Sequence, residues 1–157
     1  MRNIHYIPVT GTILNLAAGS DCCSQMMTLR TESGIVNFII GPDTLIIDQR
    51  QLRQGMRVTA FYDGNMPVPL IYPPQYRALV AAALRRDEQV LISFFDRNLL
   101  SADQSLKLNI GRNTQITTGN GQRFPCNVGN RTLFVSYTAT TRSIPPQTTP
   151  ERIVVLC

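Results

Sequence analysis

The chain is short of charge, of histidine, of lysine and of long apolar runs, and each shortage removes a class of function. Only 16% of its 157 residues are charged, while 43% are hydrophobic. Runs of like charge are missing, so the composition is that of a folded chain rather than a disordered one. No stretch approaches the ~18 apolar residues of a membrane span. The opening Met-Arg-Asn-Ile-His-Tyr-Ile-Pro lacks the apolar core of an export signal. A cytoplasmic protein with no membrane partner is expected. The four cysteines, Cys22, Cys23, Cys126 and Cys157, form no C-x-x-C, and His5 is the single histidine. That set has no metal-ligand spacing, so free thiols and no metal or other cofactor are expected. The adjacent Cys22 and Cys23 read as unmodified loop thiols rather than a strained vicinal disulfide.

Catalytic patterns are scarce too. There is no P-loop, no dinucleotide-binding glycine fingerprint and no zinc signature, and His5 has no nucleophile in a local motif. Asp43, Asp48, Asp63, Asp87, Asp96 and Asp103 sit beside Gly, Pro, Asn or Ser, or at the ends of predicted elements. That is where aspartate serves turns and caps. The chain is not expected to be an enzyme.

What the sequence does contain is a repetition. Val36-Asn-Phe-Ile-Ile-Gly-Pro-Asp-Thr-Leu-Ile-Ile47 returns, degraded, as Leu106-Lys-Leu-Asn-Ile-Gly-Arg-Asn-Thr-Gln-Ile-Thr117, with Gly41 and Thr44 matched by Gly111 and Thr114. Gly55-Met-Arg57 answers to Gly129-Asn-Arg131, and Pro73-Pro-Gln75 to Pro145-Pro-Gln147. The landmarks keep their order, each displaced by between seventy and seventy-four positions. So long a period means two small related domains rather than a solenoid. We place them at 1–86 and 87–157, with the junction at Arg85-Arg-Asp-Glu88.

Strand signals fill both halves. Residues 7–16 alternate around Gly11, which permits a bend or bulge. Residues 26–31 lead through Glu32-Ser-Gly34 into Val36, Phe38 and Ile40 on one face. Asp48 is placed to cap a short helix over residues 49–54 that stops at Gly55. Residues 57–63 form a further strand. Residues 78–84 pit alanine, which favours helix, against the β-branched repeat partner Ile153-Val-Val-Leu156, and strand is the reading taken. In the second half Leu106, Leu108 and Ile110 alternate as a strand. Gly119-Asn-Gly121 and Pro125 exclude the helix there, and the stretch before Leu106 is short enough to have lost a hairpin.

Strand with a mid-strand glycine, strand, turn, strand, short helix, strand, long loop, strand: this order resembles the OB-fold, a five-stranded Greek-key barrel. In wording, Gly11-Thr-Ile13, Met27-Thr-Leu29, Asp43-Thr44 and Leu52-Arg-Gln-Gly-Met-Arg-Val58 are similar to small bacterial OB-like domains. The resemblance covers residues 7–84, and 89–157 only through the repeat. It implies an all-β protein of two tandem OB-like barrels, the second degenerate. It also implies a binding module, since such folds often take nucleic acid or oligosaccharide, although fold alone does not assign function.

Two features could supply a ligand site. Of the 15 basic residues all but Lys107 are arginine, and the net charge is +5. Arginine is the better fork for phosphate, although genomic base composition also trades lysine for arginine. Arg50 and Arg53 would share a face of the predicted helix, with Arg57 just beyond it. With Arg30 and Arg77 they could engage the phosphates of single-stranded DNA or RNA. The second feature is the loop 66–76, in which every residue from Met66 to Pro74 except Tyr72 is Pro, Val, Leu, Ile or Met. Tyr72 and Tyr76 could stack on bases. The alternative is a structural or interaction module, in which the same stiff apolar loop makes the chain a homo-oligomer.

Overall fold

Alternating apolar and polar residues, punctuated by glycine and proline, have made strands along nearly half of the chain. The computed structural model describes residues 4–157; Met1, Arg2 and Asn3, which begin the stretch read for an export signal, lie outside it. The fold is all-β: among the described residues the regular structure is thirteen strands and one single-turn 3-10 helix. The chain divides between Arg85 and Arg86 into two compact units.

In the first unit β1 (Tyr6–Ala18), β2 (Gln25–Thr31), β3 (Gly34–Ile40), β4 (Leu45–Ile46), β5 (Arg57–Asp63), β6 (Gln75–Arg77) and β7 (Val80–Ala83) form one sheet, in the order β4-β7-β5-β1-β2-β3-β6. β1 is long because it serves two neighbours. Its residues 6–12 pair antiparallel with β5, and residues 12–18 with β2. At the changeover a Cβ on Gly11 would lie 2.6 Å from the Arg30 carbonyl oxygen, so glycine is what lets β1 pass so close to β2. A register shift between Ile13 and Asn15 marks a bulge just beyond. Ile13, Met27, Leu29, Phe38, Val58 and Ala60 make the core, each large side chain contributing about 1.5–3 kcal/mol by leaving water.

β6 and β7 lie towards opposite ends of that sheet order, yet only Ala78 and Leu79 separate them. The Ala78 amide donates to the Ile39 carbonyl on β3 (3.0 Å), and the Leu79 amide donates to the Phe61 carbonyl on β5 (2.8 Å). Residues 75–83 therefore bond one strand with their first half and another with their second. Among the described residues no ladder closes the sheet. The alanines of β7 are extended because tertiary pairing overrides their helical preference: Ala81 and Ala82 are buried between β4 and β5.

The helix expected over residues 49–54 is absent. Ile47–Gln49 makes one 3-10 turn with Asp48 and Gln49 at positive φ, and Ile46 stands at its N-cap. Residues 50–53 follow without regular structure. So short a helix has too few hydrogen bonds to offset nucleation. The chain is held to β1 instead: the Gly55 amide donates to the Ile13 carbonyl, and the Ile13 amide donates to the Met56 carbonyl, both at 2.8 Å.

The second unit contains β8 (Gln89–Phe95), β9 (Lys107–Leu108), β10 (Gln115–Thr118), β11 (Arg131–Tyr137), β12 (Gln147–Thr148) and β13 (Arg152–Val155). Four of these form a sheet in the order β10-β13-β11-β8, while β9 and β12 make a separate parallel pair. Phe95, Leu106, Leu108, Leu133, Val135 and Ile153 are its core. Where the first unit has the β2–β3 hairpin, this unit has a tight polar turn. The buried Ser101 hydroxyl donates to Asp103 and accepts the amides of Ser105 and Leu106. A hydrogen bond from the Ser105 hydroxyl, the largest influence, holds the Asp103 carboxyl below its ordinary range.

The repetition extends to individual hydrogen bonds. The Thr44 hydroxyl accepts the Gly41 amide (3.0 Å) and donates to the Ala78 carbonyl (2.8 Å). The Thr114 hydroxyl accepts the Gly111 amide (3.0 Å) and donates to the Pro150 carbonyl (2.6 Å). The Asn37 amide donates to the Pro74 carbonyl as the Lys107 amide does to Pro146, and Leu79 donates to Phe61 as Glu151 does to Ser136. Tyr72-Pro73 and Ile144-Pro145 are both cis. One tie is missing. Pro150 stands where Ala78 stands and has no amide to donate. The strand expected over residues 106–110 is correspondingly laddered only at Lys107 and Leu108, and Ile110 is exposed.

Because each threonine hydroxyl satisfies two backbone groups, Thr44→Val and Thr114→Val should each lower stability by about 1–2 kcal/mol in urea denaturation. Thr→Ser should retain most of it. A loss below about 0.5 kcal/mol in both valine variants would show that these ties do not hold the units.

Candidate functional site

The dual pairing of β1 sets up the basic face. Thr12 is opposite Arg30 on β2 and also opposite Arg57 on β5. Residues directly opposite one another point to the same side of a sheet, so Arg30, Thr12 and Arg57 form one cross-strand row. Their neighbours Ile13, Leu29 and Val58 point into the core. Both arginines are exposed, with Cα atoms ~10 Å apart by ordinary strand spacing. Together with residues 8–12 and 31–33 they line an open groove of about 660 Å³.

Arg50 and Arg53 are exposed as well, but without the helix nothing aligns them on a common face. Arg53 is tied to the row only through the backbone: its carbonyl accepts the Met56 amide one residue before Arg57. Arg77, also exposed, lies on β6 opposite Ile39.

The two tyrosines have different surroundings. Tyr76 is half-buried and stacks on Tyr62 with ring centroids 3.9 Å apart and planes within 8°. It also packs obliquely on Phe38 at 5.6 Å. This is packing against the core, so Tyr76 is not the exposed ring expected from sequence. Tyr72 is 85% exposed. Leu70 beside it is fully exposed, and Ile71 is largely so.

Among the described residues no group of three or more His, Cys, Asp or Glu side chains is placed to hold a metal ion. An Asp63 oxygen accepts the His5 and Asn65 amides, and one of Asp96 accepts the Asn98 and Leu100 amides. The bonds from Asn65, Asn98 and Leu100 are turn bonds of the kind aspartate makes with its own chain, and the one from His5 ties the chain before β1 to the end of β5. All four cysteines are free and exposed. Among the described residues no helix is long and apolar enough to cross a membrane. Thr12, at the centre of the row, carries no signal in the sequence; only the switch of partners along β1 reveals its place. Comparison with family models, with curated proteins and with solved structures finds no match.

Three phenols titrate above their ordinary value of 10.0. Burial is the main cause for Tyr6, with the Asp63 charge second, and for Tyr62, with the hydrogen bond to Tyr76 second. Burial alone raises Tyr137. A group whose pKa is raised by folding stabilises the fold fully below its unfolded pKa, and that contribution disappears as pH climbs through the folded pKa. The urea midpoint should therefore hold its value as pH approaches about 10 from below and drop above it, with Tyr62→Phe showing a shallower drop. A midpoint that rises above pH 10 would contradict this account of the tyrosines.

Proposed function

We propose that this chain is a non-enzymatic OB-like binding module that takes single-stranded nucleic acid on its first unit. The OB-like reading is supported by the meander β1-β2-β3, by the partner switch of β1 at Gly11, and by residues 75–83 bonding both β3 and β5. The second unit is a reduced copy, its hairpin replaced by the turn at Ser101 and its parallel pair cut to two residues. The nucleic-acid reading rests on the Arg30–Thr12–Arg57 row. Two exposed guanidinium forks on the strands that flank β1 can contact neighbouring phosphates, and an open groove suits a flexible strand. Tyr72 is the exposed ring available for stacking on a base. Arg50 and Arg53 add positive charge nearby in sequence, and Arg77 lies on β6.

Binding of a short fluorescent single strand should then weaken as salt rises. Arg30→Glu with Arg57→Glu should reduce affinity at least tenfold and flatten the slope of log K against log salt by roughly 1.4, the contribution of two phosphate contacts. Absence of binding to DNA and RNA oligonucleotides at low salt would overturn the reading.

One observation favours a second reading. Leu70, Ile71 and Tyr72 are exposed together at the tip of the Pro-rich loop, more apolar surface than a loop commonly gives to water. The chain would in that case be a homo-oligomer built through residues 66–76. Light scattering should then report an oligomer that Leu70→Asp converts to monomer, whereas a monomer at all concentrations removes this reading.

A further inference from the structure

The first unit has a second concavity, formed where the Pro-rich loop folds back over the sheet. Its floor is Ile39, Tyr62, Tyr76 and Leu79, with the two tyrosine rings stacked face to face. Residues 66–69, Met-Pro-Val-Pro, form the opposite wall, and two prolines in four residues restrict how far that wall can move. The space is about 360 Å³, within the range that takes small organic ligands.

Besides the tyrosine hydroxyls, which bond each other, three polar side chains line this apolar space: Asp63, Gln75 and Arg77. Asp63 is occupied, since one of its oxygens accepts the amides of His5 and Asn65. The side-chain amide of Gln75 and the guanidinium of Arg77 have no hydrogen-bond or ion-pair partner among the described residues. The pocket therefore presents apolar walls with one free cation and one free amide.

We infer that this pocket binds a small molecule with a flat hydrocarbon body and a single acid group, the ring packing against the Tyr62–Tyr76 floor and the acid meeting Arg77. A carboxylate or sulfonate gives Arg77 the charge-assisted, two-pronged hydrogen bond that its fork favours. A nucleobase fits less well. The polar edges of a base would lie against Ile39, Leu79 and Val68 with only Gln75 and Arg77 to bond them, and polar groups buried without partners are costly. The site is separate from the Arg30–Arg57 row and does not rest on its reading.

The test uses the full chain and the anionic fluorophore 8-anilinonaphthalene-1-sulfonate. Fluorescence should rise saturably to one probe per chain, with 1-naphthoate displacing the probe and neutral 1-naphthamide doing so at least roughly tenfold less well, as expected for loss of one charge-assisted contact. Val68→Trp, which fills the pocket from the exposed loop, should weaken the probe tenfold or more, and Arg77→Gln should weaken it about tenfold. Both variants should keep the wild-type urea midpoint. Leu70→Ser, at the loop tip outside the pocket, should bind as wild type does, as should the double variant Arg30→Glu, Arg57→Glu. Overturning results are a signal that does not saturate, one unchanged in Val68→Trp, one lost in Leu70→Ser, or naphthamide competing as well as naphthoate.

Discussion

The architecture depends on one requirement: the last segment of each unit must satisfy two separate strands. Backbone amides and carbonyls removed from water need partners. Residues 75–83 find them on β3 at one end and on β5 at the other. Residues 147–155 do the same with β9 and β11. The chain leaving β3, or β9 in the second unit, is pinned to that segment by a threonine hydroxyl, Thr44 in one unit and Thr114 in the other. Most of these contacts join residues far apart in sequence, so none can form until long loops have closed. The threonine ties fix where the loops end.

This requirement explains why the two copies kept some landmarks and lost others. Gly41 and Thr44, and the Pro-Pro-Gln that leads into the final segment, recur because they make the ties. β2 does not take part in them, and the hairpin it makes with β3 has been reduced to the Ser101–Asp103–Ser105 turn. The surface features are likewise uneven. The basic row needs β2 to carry Arg30, and the pocket needs the apolar loop after Asn65. Both belong to the copy that kept its hairpin and its long loop.

The sequence made the all-β class and the recurrence of turns readable because glycine, proline and threonine at fixed spacing impose particular backbone geometries. It misled where local preference competed with pairing. Asp48 and Gly55 read as the cap and stop of a helix, but Gly55 and Met56 are bonded to Ile13, a contact invisible in local composition. Leu106, Leu108 and Ile110 alternate like a strand, but Pro150 removes a donor forty residues away. The same limit applied to the candidate site. Arg30 and Arg57 stood out as basic residues, while their alignment depends on both being opposite Thr12. Tyr76 read as a free aromatic because nothing near it in sequence reveals the ring of Tyr62.

Native-state amide hydrogen exchange, resolved by residue, tests the central claim most directly. If the final segments bond two strands at once, the amides of Leu79 and Glu151 should exchange only through global unfolding, as slowly as Val58 in β5 or Val135 in β11. Exchange of Leu79 and Glu151 at the rate of the exposed loop residue Leu70 would contradict the account.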